Sequence, residues 1–174
     1  MKRKIIGEHI SIDDLKNLLN YDELTGEFRW NNHKRMPKGK PAGTSAGSEY
    51  DRIMIKGKIF LSHRVAWFYM TGTDPDRLID HINGNKRDNR FCNLRLADYS
   101  QNMMNSKISS INSSGCKGVS WKKSEGKWRA EGKINGKRKH LGYFENITDA
   151  IAAYKEFAIT HHGEFYLEQQ TTTQ

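Results

Sequence analysis

Cysteine and proline are scarce in this chain, with two cysteines and three prolines in 174 residues. Cys92 and Cys116 lie far apart and form no CxxC pair, which argues against a disulfide framework and against a cysteine-rich zinc site. Any metal must therefore be held by oxygen and nitrogen ligands, which favours a hard ion such as magnesium or manganese over structural zinc. Apolar residues make up 36% of the sequence and the mean hydropathy is −0.83, so two small cores fit better than one large one. No apolar run approaches the roughly 18 residues of a spanning helix, and the basic start Met1-Lys2-Arg3-Lys4 leads into no signal-peptide core. The expectation is a soluble, cytoplasmic protein with no membrane partner.

What the chain has in excess is positive charge. Twenty-nine Lys+Arg against 20 Asp+Glu give +9 and a pI near 9.5, a balance that points to a polyanionic partner or a membrane surface. The charge is uneven. Between Gly115 and Gly142 nine Lys/Arg and two Glu leave +7, whereas residues 143–174 carry −4 and residues 1–114 carry +6.

The pattern along the chain is that of two mixed modules. Ser11 or Asp13 caps a short helix with Leu15, Leu18 and Leu19 on one face, and Thr25–Trp30 follow as a turn and strand. Residues 31–48 hold two of the prolines and read as a loop; its Lys34, Arg35, Lys38 and Lys40 either track phosphates or form a solvated surface. Arg52–Leu61 alternates about Gly57 as a hairpin does, and His63–Met70 has helical spacing and stops at Thr71-Gly72. Asn105–Ser114 is polar and serine-rich, like a linker. Three strands are expected at 118–121, 127–134 and 137–144, with Asn135-Gly136 as the turn between the last two. An amphipathic helix over 148–162 presents Ala150, Ile151, Ala153, Tyr154, Phe157 and Ala158 as an apolar stripe.

The segment Asp80-His81-Ile82-Asn83-Gly84-Asn85-Lys86-Arg87-Asp88-Asn89, with Asn93-Leu94-Arg95 and Ser100-Gln101-Asn102, carries the chemistry. Leu78–Ile82 and Asn93–Leu96 read as two strands, and Asp98 as the cap of a helix that starts at Tyr99. Hydrolysis of a phosphodiester needs a water deprotonated near neutral pH and a cation to offset charge on the phosphate. His81 suits the first task because an imidazole titrates near pH ~6.5. Asp80 and Asn102 suit the second as oxygen ligands. Asn93 is expected to accept a hydrogen bond from one imidazole nitrogen and so orient the other. An isolated Asp-His pair among Asn and Gly would read only as a polar turn; the full spaced set outweighs that reading. His63 is read as a packing residue.

At His63-Arg64-Val65-Ala66-Trp67, Ile79–Asn85, Asp88-Asn89, Asn93-Leu94-Arg95 and Ser100-Gln101-Asn102, roughly over residues 11–106, the chain resembles the HNH nucleases of ββα-metal fold, and among them the phage and intron-encoded homing endonucleases. The resemblance implies Asp80 and Asn102 as ligands of one Mg2+ or Mn2+, His81 as general base and Asn93 as the residue that orients it. Asn102 stands where the last histidine of the family name would be, which makes this a His-Asn-Asn variant. No small-molecule cofactor is expected.

In the downstream strands, alternation sends Lys127, Arg129, Glu131 and Lys133 to one face and Trp128 and Ala130 to the other. If the helix covers the Trp128 face, the basic face is open to a DNA groove. Lys117-Gly118-Val119, Gly126–Glu131, His140–Phe144 and Ala150–Tyr154 resemble the plant ethylene-response-factor, or Apetala-two, DNA-binding domain. That resemblance suggests DNA contacts from Lys117, Trp121, Lys122, Arg129, Lys133, Arg138 and His140. The expected architecture is α+β: a ββα-metal nuclease domain over 1–105, a linker over 106–114, a three-stranded antiparallel sheet packed on one helix over 115–167, and a disordered tail over 168–174. A metal-dependent endonuclease acting on double-stranded DNA, monomeric and of the phage mobile type, is the reading these features favour. A non-catalytic DNA-binding regulator is the alternative.

Overall fold

A computed structural model describes residues 5–45, 47–106, 108, 111–134 and 136–166. The expected tail at 168–174 and Asn135 of the expected hairpin turn lie outside the described residues. The chain divides into two compact units, residues 1–98 and 99–174. The division thus falls before the helix at Tyr99 rather than in the serine-rich segment.

In the first unit, α1 (Ile12–Leu18) starts at Ser11, whose Oγ accepts a hydrogen bond from the Asp14 N–H at 3.1 Å. That bond satisfies a donor the helix itself leaves unpaired. Leu19, expected on the helix face, is already extended. There β1 (Leu19–Tyr21) pairs antiparallel with β2 (Phe28–Trp30). The change of period turns Leu19, Tyr21, Phe28 and Trp30 inward and Asn20 and Arg29 outward. The expected second hairpin is β3 (Arg52–Ile55) with β4 (Lys58–Leu61), and α2 (Ser62–Thr71) follows it. A third hairpin joins β5 (Leu78–His81) to β6 (Leu94–Ala97), with Asp80 opposite Arg95 and His81 opposite Leu94.

A lone two-stranded hairpin is marginal in water. Here the unit shares one core, in which Ile6, Leu15, Leu19, Ile53, Ile55 and Val65 are fully buried. Arg64 on α2 approaches Asp74 at 3.6 Å, and the Asp74 carboxylate accepts the N–H groups of Ile6 and Gly7, each at 2.9 Å. The His63-Arg64 pair therefore faces inward.

The second unit contains α3 (Tyr99–Asn105), the sheet β7 (Val119–Lys122), β8 (Lys127–Ile134) and β9 (Lys137–Phe144) in the order β7-β8-β9, and α4 (Ile147–His162). α4 lies along the sheet, burying Ala150, Tyr154 and Ala158 against Val119 and Ala130. Gly132 permits this close approach, because a methyl group there would overlap the Phe157 ring. The end of the serine-rich segment is not a free spacer: the buried Ser114 Oγ donates to Val119 O at 2.7 Å, and Asn112 Nδ2 donates to Cys116 O at 2.9 Å. Among the described residues no helix is long and apolar enough to cross a membrane.

The β1–β2 hairpin props the loop that follows β5. Tyr21 donates its hydroxyl to Asn89 O at 2.7 Å, and Gly26, at φ +75°, leaves no room for a Cβ against the backbone of Asn89 and Arg90. Gly26→Ala combines a strained backbone with a clash, and is expected to lower stability by about 1–3 kcal/mol. Urea unfolding measures it; an unchanged midpoint would show that the hairpin does not brace the loop.

Candidate functional site

β5 places Asp80 and His81 on consecutive positions, both buried. Their side chains meet different surroundings because neighbouring residues of a strand point to opposite faces. The Asp80 carboxylate accepts from Arg95 directly across the hairpin, with Nε and Nη2 at 2.9 and 2.8 Å from Oδ2. Such a charge-assisted pair fixes the orientation of the carboxylate.

The His81 ring lies among other rings. The buried His63 ring meets it edge-on, with centroids 5.0 Å apart and planes at 90°. Tyr50 stands 5.3 Å from His63 and 6.1 Å from His81. Over the Tyr50 ring, 5.2 Å from its centre, lies Lys86 Nζ, which also pairs with Glu49 at 2.6 Å. Burial holds the His81 imidazole below its ordinary pKa, opposed by the Asn89 side chain and by the charges of Asp80 and Asp88. His63 is pushed down to about 3 by burial, with His81 and Arg64 adding to the shift. Both rings are therefore neutral near pH 7, the state in which an imidazole can accept a proton.

Asn93 does not take the role expected of it. Its Nδ2 donates to Asn83 Oδ1 at 3.1 Å and to Asp88 O at 2.9 Å, while its Oδ1 accepts the Asn83 N–H at 3.0 Å. The carboxamide is thus spent on the loop between β5 and β6 rather than on the imidazole. Asn83 passes the brace on, donating from Nδ2 to Asp88 Oδ2 at 2.7 Å and accepting the Asn85 N–H at 2.9 Å. A hydrogen bond from Arg90 holds the Asp88 carboxyl well below the usual range, at about 2. Asn93 thus bonds to the loop that begins at His81.

Asn102 lies on α3, in the second unit. Among the described residues no group of three or more His, Cys, Asp or Glu side chains is spaced to hold a metal ion. The donor chemistry at Asp80, a carboxylate oxygen, nevertheless fits a hard cation that keeps several waters.

A family of proteins described as HNH endonuclease matches residues 60–104, from the end of β4 through most of α3. The chain is also 34% identical to Protein 3.8 of Escherichia phage T7 over 104 residues, which cover 59% of this chain and 85% of that protein. The chain belongs to the family of that phage protein. Its residues 60–104 carry an HNH endonuclease domain. No solved structure matches the chain.

Outside the HNH domain, the register of the second unit's sheet sorts the expected DNA contacts. Lys122 pairs with Lys127, Arg129 with Tyr143, Glu131 with His140 and Lys133 with Arg138, and directly opposed residues share a face. Lys122, Arg129, Lys133, Arg138 and His140 therefore stand together on the face away from α4. Trp121 does not. It pairs with Trp128 on the other face, their rings 5.2 Å apart. Lys117 precedes the sheet and donates from Nζ to Met104 O at 2.9 Å. Lys127 lies on the open face as alternation predicts, and Tyr143 joins it. Sequence reasoning misses Tyr143 because its place follows from the break in register between Ala130 and Glu131, which strict alternation does not foresee.

The neutral His63 sets a pH dependence. Its folded-state value of about 3 lies below the ordinary 6.5, so between these values the unfolded chain binds the proton more readily. Stability is then complete above pH ~6.5 and is lost as the pH falls, by at most about 1.4 kcal/mol per pH unit for this ring. Urea melts from pH 7 to pH 4 should show that slope, and His63→Phe should flatten it. An equally steep slope in the variant would assign the effect to other groups.

Proposed function

We propose that this protein is a divalent-metal-dependent endonuclease that cuts double-stranded DNA, of the mobile, homing kind carried by phages. The observation that carries the reading is the HNH match over the segment in which β5 supplies Asp80 and His81 and Asn93 braces the loop between β5 and β6. His81, neutral and enclosed, takes the proton from the attacking water. His63 and Tyr50 limit how its ring can turn, and Asn93 holds the loop that starts at it. Asp80 is the carboxylate that would hold Mg2+ or Mn2+, and the sequence resemblance adds Asn102 as a further oxygen donor. Such a cation, when bound, offsets charge on the phosphate and the departing oxygen.

For the second unit we propose groove recognition by the sheet face bearing Lys122, Arg129, Lys133, Arg138 and His140, as in the Apetala-two domain it resembles. The single sheet packed under one helix supports this. Arginine suits guanine edges and lysine suits phosphates.

One observation favours the alternative of a non-catalytic DNA-binding regulator: Arg95 already neutralises Asp80. Incubation with plasmid DNA and Mg2+ separates the two. The nuclease reading expects nicking by wild type and a loss of roughly 10²–10⁴-fold in His81→Ala, with large losses in Asp80→Asn and Asn102→Ala. Undiminished nicking by His81→Ala would remove the assigned base, and no cleavage of any DNA by wild type would favour the regulator.

The faces of the sheet give a separate expectation. Arg129→Ala should weaken binding to a selected duplex by about 1–3 kcal/mol, whereas Trp121→Ala, altered on the opposite face, should leave it within about 0.5 kcal/mol. Titrations that ranked the two substitutions the other way would move the DNA contact off this face.

A further inference from the structure

Cations of the first unit are, as a rule, partnered. Arg29 pairs with Glu27, Lys56 with Asp14, Lys86 with Glu49 and Arg90 with Asp88, while Lys58 lies against His9 and Lys16 over the Tyr69 ring. Lys34, Arg35, Lys38 and Lys40 break the rule. All four are exposed, and their side chains have no hydrogen-bond, ion-pair or ring partner among the described residues. No Asp or Glu occurs between Glu27 and Glu49 to offset them.

The loop that carries them is nonetheless built. Trp30 N–H donates to Lys40 O at 2.9 Å and Gly39 N–H to Trp30 O at 2.7 Å, which closes its ends, and Arg29 Nη1 adds a bond to Gly39 O at 3.1 Å. At its tip His33 Nδ1 accepts the N–H groups of Arg35 and Met36 at 3.1 and 3.0 Å. The His33 ring packs on Trp30 at 4.4 Å, and Met36 packs on the core. Apolar side chains thus turn inward and the four cations outward, in a shape fixed before any ligand arrives. Like charges gathered on one loop repel, and among the described residues no bond uses these side chains.

We propose that residues 33–40 form a second nucleic-acid contact, additional to the C-terminal sheet, which grips the phosphate backbone of duplex DNA without reading its sequence. The inference rests on the reading of DNA as substrate. The preformed shape lowers the ordering cost of the contact. Duplex rather than single-stranded DNA follows from the rings: Trp30 is buried and the exposed residues of the loop include no aromatic side chain on which a base would stack. Contacts made only through Lys and Arg to phosphate add affinity equally to every sequence.

The test is the salt dependence of duplex binding by the full chain, compared between wild type and the quadruple variant Lys34→Gln, Arg35→Gln, Lys38→Gln, Lys40→Gln. Each phosphate that the protein no longer neutralises lowers the slope of log K against log salt by about 0.9, so a fall of about two to four is expected, equal for selected and random duplexes. A control variant with Lys16, Lys56, Lys58 and Arg77 changed to Gln removes the same charge elsewhere and should lower the slope by less than about one. An unchanged slope in the loop variant, an equal fall in the control, or a weakening confined to the selected sequence would overturn the proposal. So would unaltered DNA binding alongside abolished binding to vesicles containing phosphatidylglycerol. Thermal melting of both variants confirms that they fold. Because the readout is binding, a wild type that binds DNA without cutting it would refute the nuclease and leave the loop standing, whereas an unchanged slope in a protein that cuts would refute only the loop.

Discussion

The Asn93 carboxamide is the constraint on which the candidate site depends. It sits at the foot of β6 and bonds to Asn83 and to the Asp88 backbone, so the loop leaving His81 is held by a buried amide rather than by apolar packing. The choice follows from geometry. The long connection over residues 82–93 between the two strands of this hairpin has many backbone groups and little side-chain volume to bury, and each unmet donor or acceptor inside would cost about 1–3 kcal/mol. One amide supplies the two donors and the acceptor used here, whereas a carboxylate only accepts and a hydroxyl has a single donor.

With the loop fixed, the state of His81 is set by its surroundings. His63, Tyr50 and Asn89 enclose the ring, and burial lowers its proton affinity. A general base gains from being neutral at the working pH and loses if its affinity falls too far. The Asn89 side chain and the carboxylates of Asp80 and Asp88 draw His81 back toward its ordinary range, whereas His63 has no such counterweight and is left at about 3. Two buried histidines 5.0 Å apart thereby meet different neighbours: carboxylates oppose the effect of burial at His81, and none does so at His63.

Much of this is legible in the sequence where the signal is local. The capped helix at Ser11, the Arg52–Leu61 hairpin, the strands that carry Asp80 and Arg95, and the sheet under α4 all follow from period and turn residues. What is not legible depends on distant partners. Leu19 reads as a helix position until Phe28–Trp30 is available to pair with it. Nothing near Tyr50 in sequence shows that it will meet His81. Asn93 stands out by its spacing from His81, but spacing alone does not tell an amide that bonds a ring from one that bonds a loop. The Apetala-two resemblance suggests a DNA contact from Trp121, and only the register sets it on the face of Trp128.

Charge is distributed differently in the HNH domain and on the C-terminal sheet. Within the HNH domain the cations Arg64, Lys86, Arg90 and Arg95 are each matched by a carboxylate. On the open face of the C-terminal sheet, Arg129 has Glu131 at 3.1 Å, but Lys133 and Arg138 are directly opposed with no acid between them. Like charges opposed across a sheet destabilise it. A basic sheet that carries such a cost while its other face is packed under α4 is what the proposed groove contact would require, because bound phosphates would offset a repulsion that solvent and salt only screen.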